Sequence, residues 1–536
     1  MKLNIAGIKN IQEWEKAGFI VPKFDVEKVV AETRANPTWV HFGAGNIFRA
    51  FPAARQQQLL DAGLEKTGII IADGFDFEII DAAFTPYDNL SISVVLANDG
   101  STEKTVIASI TESLKASSSD KDFARLKEIF RNPSLQMATF SITEKGYPLE
   151  WEGSVIPSVA EDFKNGPAKP SSFIGCLVSL LYERYQSGKK PVTLVSMDNC
   201  SHNGDKLRDA VVPFAQKWAD TGLVDKDFVG YVSNPRTVSF PWTMIDKITP
   251  RPEEGVKKML EAAGVQGMDI TVTKKYTYIA PFVNAEAAAY LVVEDAFPNG
   301  RPALEKAGVI FTDRETVDKS EKMKVCTCLN PLHTAMGIYG NLLSFGPVSD
   351  AMKDPEILGL IKKIGYDEGL KVVADPGIIN PKAFLDECVE KRFPNPYVPD
   401  TVQRLGVDMS QAIPVRYGET MKAYIADPNL DVASLVFLPL TFAGWCRYIL
   451  GIDDSGKPFT VSPDPMVPEV AKHLEGVKLG DAGPFHKQLQ PILSDTRIFA
   501  LDLYKIGLGE KVEGYFAELM AAPGAVRKTL RKYLKG

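Results

Sequence analysis

Apolar positions along the chain fall into two regimes. Up to about residue 300, short apolar runs alternate with longer stretches of helical period. The runs at 38–42, 68–72, 91–97, 137–143 and 192–196 are nearly continuous and rich in β-formers, as expected of strands covered on both faces. Between them, 53–62, 123–130 and 173–185 carry helical spacing. This alternation predicts a parallel sheet with helices on both sides. Residues 290–302 read as a strand leaving that sheet and ending in a turn. Residues 1–36 read as a helical lead-in, with Trp14, Phe19 and Phe24 as packing anchors. Beyond residue 300 helical patterns dominate, at 334–343, 355–374, 381–391 and 432–450. The expectation is an α/β domain over 1–300 followed by a mostly α-helical domain over 301–536, without internal repeats.

Composition narrows the possible settings. Hydrophobic residues make up 45% of 536 positions and charged residues 24%, enough for large cores. The net charge is -7 with no basic block, which argues against nucleic acid as a partner. A small anionic substrate needs only one local cationic pocket, so it stays open. Six scattered cysteines form no disulfide framework. The N-terminal residues lack a signal-peptide apolar region. The most apolar run, 435–446, contains Pro439, stops at Arg447, and is too short to span a bilayer. A reducing, cytoplasmic setting without membrane contact is expected.

The first run is followed by Gly43-Ala44-Gly45-Asn46-Ile47-Phe48-Arg49 and then by a helix. Strand, Gly-x-Gly and helix is the layout of a dinucleotide-binding turn, whose glycines let backbone N–H groups approach a pyrophosphate. Phe48 stands where the usual fingerprint has its third glycine, so the motif is weak by itself. The next strand ends at Asp73, with Asp76 close behind. An acid there bonds ribose hydroxyls and repels a 2′-phosphate, which favours NAD. A loop carboxylate in water is the plain alternative, and the pattern does not choose between the two aspartates. Polar clusters follow two later strands: Thr143-Glu144-Lys145-Gly146-Tyr147, and Met197-Asp198-Asn199 with Asn203-Gly204. Ligands bind beyond the carboxyl ends of such strands. Both clusters also suit ordinary turns.

A second constellation lies in Glu321-Lys322-Met323-Lys324-Val325-Cys326-Thr327-Cys328-Leu329-Asn330-Pro331-Leu332-His333. It sets Lys, Asn and His between apolar positions. A buried lysine loses solvation of its charged form and becomes able to exchange a proton at working pH. A neighbouring Asn can donate to an oxygen that turns negative. Alone, the stretch favours a plainer reading, a solvated Lys pair capping a helix with Asn and His satisfied in the core. Cys326-x-Cys328 near His333 suggests zinc, but it lacks the usual two-to-four-residue spacing; small buried hydrophobes suit the pair better. No metal is expected.

Taken together and in order, these stretches resemble the polyol-specific long-chain dehydrogenases, the mannitol dehydrogenase family. The resemblance also rests on Met244-Ile245-Asp246-Lys247-Ile248-Thr249-Pro250, Val293-Glu294-Asp295 with Gly300-Arg301-Pro302, and Trp445-Cys446-Arg447-Tyr448 with Gly451-Ile452-Asp453-Asp454. It runs from about residue 39 to 456. No single motif is strong, but the ordered set is specific. It implies a Rossmann-type doubly wound domain, a helical substrate domain and metal-independent hydride transfer with NAD. By position, Lys324 matches the general acid/base. Asn199 and Asn330 match the residues holding the reacting oxygen. His333 matches a substrate-orienting residue, and Glu321 one on the proton route. Gly43, Gly45, Asn46, Ile47, Phe48, Arg49, Asp73, Asp76, Glu144 and Lys145 would serve the cofactor. Asp246 and Arg404 would contact substrate.

Two departures bear on this. One extra residue lies between Lys324 and Asn330 relative to the family spacing. On a continuous helix it would rotate the lysine by about 100°, so either a local bulge absorbs it or Lys322 is the base. The family's usual histidines in the glycine turn are here Phe48 and Phe51. A keto sugar acid needs a cation in its pocket, which Arg404 would supply. Val407 replaces the His that mannitol enzymes tend to carry three residues after that Arg. The flank at 294–302 looks most like the mannonate-forming members. The expected substrates are D-fructuronate and D-mannonate, ahead of tagaturonate or mannitol. A non-catalytic nucleotide or sugar sensor would have no need of Lys324, Asn199 and Asn330. A monomer or small homo-oligomer is expected.

Overall fold

A computed structural model describes residues 1–535. The chain separates into two compact units, Met1–Asp318 and Lys319–Gly536.

The first unit is built on a six-stranded sheet. In chain order its strands are β1 (Trp39–Phe42), β2 (Ile69–Asp73), β3 (Ile110–Lys115), β4 (Met137–Phe140), β5 (Val192–Ser196) and β6 (Val238–Ser239). They lie side by side as β6-β5-β4-β1-β2-β3, every pair parallel. This is the doubly wound order, reversing direction between β1 and β4. Alternate side chains feed two cores. Val40, Phe42, Ile70, Ala138, Phe140 and Leu194 face one side, where the helices Asp122–Arg131, Phe173–Gln186 and Asn203–Asp220 cover them. Trp39, Ile69, Ile71, Met137 and Val195 face the other, beneath Pro52–Asp61. Both faces are dry, which is why β1, β2, β4 and β5 read as nearly unbroken apolar runs.

The structure corrects several expectations. The sheet's third strand is β3, whose Thr111, Glu112 and Ser113 gave no apolar run; it is an edge strand. Ser91–Leu96 belongs instead to a separate four-stranded sheet with Phe19–Ile20, Thr102–Ile107 and Phe282–Ala285. The lead-in is three helices, Ile5–Ile8, Ile11–Lys16 and Val26–Ala35, with Phe19–Ile20 as a strand between them. Tyr290–Glu294 pairs antiparallel with Thr243–Asp246 and parallel with Ile310–Thr312. That last strand carries the first unit past residue 300, so the boundary falls later than expected.

The second unit is helical around Asn330–Leu342 and Phe437–Ile449. Small residues let its helices touch. A Cβ added to Gly444 would meet the Tyr339 ring at 2.7 Å, and one on Gly340 would meet Val402 at 2.5 Å. Tyr339 Oη donates to Leu440 O at 2.7 Å. The buried Glu368 carboxylate accepts from the backbone N–H groups of Val436, Phe437 and Leu438 at 2.6–2.8 Å, capping the second of these helices. The helices expected at 355–374 and 381–391 are shorter, Pro355–Lys362 and Pro381–Glu387, and each continues into a π-helical segment.

Candidate active site

The expected site residues divide between the units. In the first, the chain leaves β1 through Gly43, at φ +111°, a conformation that favours glycine. A Cβ there would meet Ser141 O at 2.2 Å, so this glycine lets the turn pass against the loop after β4. A Cβ on Gly45 would meet nothing within 4 Å. Gly45, Asn46 and Ile47 are partly exposed, at the point where the strand order reverses. Open space above a glycine, with backbone N–H groups beside it, fits a pyrophosphate. Phe48 and Arg49 are fully buried, so only their backbone is on offer. Phe48 stacks on His41 at 3.7 Å. Arg49 donates to Ala280 O at 2.7 Å and to Asn46 Oδ1 at 2.9 Å.

Asp73 and Asp76 are both buried. Asp73 accepts from Ala44 N at 3.0 Å and from the N–H groups of Phe75 and Asp76 at 2.8 and 2.6 Å. It therefore braces the glycine turn. Asp76 accepts from Thr273 Oγ1 at 2.6 Å. Phe75, between them, is 67% exposed, with the Lys275 ammonium 4.1 Å from its ring centre.

Beyond β4 and β5, Asp198 ties two loops together. It accepts from Ile142 N at 3.1 Å, from Thr143 N at 2.8 Å and from the Tyr147 hydroxyl. Burial raises the pKa of both Asp198 and Tyr147. Thr143 is held at φ +63°. Asn199, next in the chain, is exposed, as are Glu144 and Lys145; Glu144 pairs with Lys206 at 2.8 Å. Asp246 is buried at the end of Thr243–Asp246. Asp198 and Tyr147 stood in the quoted clusters without a role, because a clamp between loops has no signature in residue spacing.

In the second unit, the chain enters a π-helical segment, Met323–Cys328. Leu329 N donates to Lys324 O at 3.1 Å, a bond spanning five residues. A π-turn holds one residue more than an α-turn, so it absorbs the extra residue before Asn330. Leu329 then breaks the helix at φ -126°, and Asn330 opens the next one. Lys324 is 2% exposed, whereas Lys322 is exposed and Glu321 partly so.

The helices Met409–Arg416 and Gly418–Ala426 brace this segment. Thr420 Oγ1 donates to Cys326 O at 3.0 Å, and Tyr417 Oη to Pro331 O at 2.5 Å. Arg416 Nη1 donates to Thr334 Oγ1 at 2.7 Å and to Asn330 O at 3.4 Å. Asn330 Oδ1 is buried with no partner. Burial, reinforced by Arg416, Arg392 and Arg404 and opposed by Asp400, lowers the pKa of His333 to about 3. The imidazole is therefore neutral at working pH. Arg404 is exposed and forms a two-point pair with Asp400. Arg416 went unnoticed in the sequence, since nothing in its helical surroundings marks it.

Cys326 and Cys328 are buried, and burial pushes the Cys328 thiol up to about 12. Among the described residues there is no group of three or more His, Cys, Asp or Glu able to hold a metal. No described helix is long and apolar enough to cross a membrane.

The Rossmann-domain model of mannitol dehydrogenase matches residues 37–306, and the mannitol dehydrogenase C-terminal-domain model matches 316–514. A D-mannonate oxidoreductase of Thermotoga maritima is 51% identical over 99% of both chains. A mannitol 2-dehydrogenase of Cereibacter sphaeroides is 29% identical over 78% of this chain and 82% of its own. Among solved structures, a Pseudomonas fluorescens mannitol 2-dehydrogenase, a ternary complex with NAD and D-mannitol, superposes with a TM-score of 0.71 at 25% identity, covering 100% of both chains. With both domain models matched in order, the chain belongs to the mannitol dehydrogenase family.

Proposed function

We propose that the protein is an NAD-dependent, metal-independent oxidoreductase that interconverts D-fructuronate and D-mannonate. The observation that carries this reading is the 51% identity to a D-mannonate oxidoreductase, maintained over 99% of both chains. Mannitol 2-dehydrogenases are more distant, at 28–31% identity. The burial of Lys324, six residues before Asn330, supports its role as the base over the exposed Lys322.

The cofactor, when bound as NADH, supplies a hydride to the keto carbon. The glycine turn at 43–47 would hold its pyrophosphate by backbone N–H groups, with Asp73 bracing the turn. Negative charge then grows on the former carbonyl oxygen. The carboxamides of Asn199 and Asn330 donate to that oxygen, each contribution being about 2.7–4 kcal/mol by the behaviour of similar donors. Lys324 delivers the proton, an effect of roughly 10²- to 10⁴-fold. Glu321 relays protons between Lys324 and solvent. His333, kept neutral, donates or accepts a hydrogen bond to orient the substrate. Asp246 and Arg404 contact the remaining substrate groups.

Steady-state NADH oxidation with fructuronate, tagaturonate and fructose tests the assignment. Fructuronate should give the highest kcat/KM. In K324A, kcat should fall about 10²- to 10⁴-fold while the protein melts as the parent does. Parent-like turnover in K324A, or a clear preference for fructose, would overturn the proposal.

A further inference from the structure

Three arginines influence His333, and their circumstances differ. The charge of Arg404 is answered at two points by Asp400. Arg392 is buried, with Nη1 on Cys388 Sγ at 3.8 Å and its guanidinium 5.8 Å from the Phe384 ring centre. Arg416 is half-buried, and among the described residues its hydrogen bonds go only to Asn330 O and Thr334 Oγ1. No carboxylate among the described residues pairs with it. The nearest acid in the chain, Glu419, is taken by Lys422 at 2.8 Å.

Both bonds of Arg416 leave from Nη1. The Nε–Nη2 edge therefore has no acceptor among the described residues. That edge is the fork that takes a carboxylate side-on through two parallel hydrogen bonds. A guanidinium partly withdrawn from water without a counter-charge is stabilised by an anionic ligand that supplies one. Asn330 Oδ1, on the residue whose carbonyl Arg416 touches, is also buried without a partner. Asn330 and the arginine bonded to its carbonyl thus leave open a place for an anion and one for a hydrogen-bond donor. A hydroxy acid carries both groups.

We propose that Arg416 is the specificity residue that receives the substrate's carboxylate, with Asn330 Oδ1 accepting from a substrate hydroxyl. This rests on the reading above that the substrate is a sugar acid. Arg404, already neutralised by Asp400, then contributes little to acid selectivity. Lowering of the Arg416 pKa by burial agrees with a cation held for an incoming anion.

The test is a cycle of two proteins and two ligands, read by calorimetry on the full chain with NADH present. The ligands are mannonate and its neutral analogue mannonamide. The parent should bind mannonate at least about thirtyfold more tightly than mannonamide. R416Q should bind the two within about threefold of each other, with NADH affinity as in the parent and a folded circular-dichroism spectrum. R416K, which keeps the charge without the fork, should fall between. If R416Q weakens both ligands by one common factor, the residue is structural and the inference is overturned. The same holds if R416Q retains the parent's preference for mannonate. A parent that ignores mannonate but binds mannitol overturns the acid reading itself, a result distinguishable from failure of Arg416 alone.

Discussion

Inserting one alanine after Val325 probes the π-helical segment directly. Met323–Cys328 already takes up one residue more than α-helical winding, so a second extra residue has no bulge to hold it. Lys324 would then turn by about 100° and shift by about 1.5 Å relative to Asn330. At the Cα radius of about 2.3 Å the displacement is only about 3.5 Å. At the end of an extended lysine, about 6 Å further out, it is roughly 12 Å. Proton delivery tolerates no such distance, since catalytic groups need contact within about 3 Å. The expected loss in kcat is therefore the whole general-acid contribution, about 10²- to 10⁴-fold, or about 2.7–5.5 kcal/mol. The assay is NADH oxidation at saturating keto acid, with NADH binding and thermal melting as controls for folding. Combining the insertion with K324A should lower kcat no further than either change alone, because both remove one interaction. A folded insertion variant with kcat within threefold of the parent would refute this expectation.

The remaining expectations concern acid stability and the glycine turn. His333 titrates at about 3 in the folded protein, against about 6.5 in the unfolded chain. Its contribution is intact above pH 6.5 and is lost progressively as pH falls toward 3. By pH 5 the parent should have lost about 1–2 kcal/mol relative to H333Q, read as diverging urea midpoints; parallel midpoints from pH 7 to 5 would contradict this. G43A should lower the melting temperature, because a Cβ meets Ser141 O at 2.2 Å and the backbone is at φ +111°. G45V should melt like the parent but weaken NADH binding about tenfold or more, as its side chain fills the space offered to the pyrophosphate. Equal effects of the two substitutions on melting would remove the distinction between them.

The sequence and the structure agree best where burial is most complete. β1, β2, β4 and β5 lie inside a sheet covered on both faces, so each showed as an apolar run. β3 was invisible because an edge strand tolerates half-buried polar residues, Ser113 and Glu112, the latter paired with Arg125 at 3.2 Å. Ser91–Leu96 looked like its neighbours, since an apolar run reports burial and says nothing of which strand lies alongside. The one-residue irregularity before Asn330 was legible as a count, and Met323–Cys328 supplies its backbone explanation. The arginines were harder. Asp400, four residues before Arg404, was visible in the sequence, but the missing counter-charge at Arg416 emerges only from long-range packing.

The clamp at Asp198 has a mechanical consequence. Its carboxylate holds the N–H groups of Ile142 and Thr143 while its own backbone leads directly into Asn199. Strain introduced at one loop is thus delivered to the other with no hinge between them. Pairs of substitutions at Thr143 and Asn199, more than fifty positions apart in the chain, belong to one lever, and their energies are not separable.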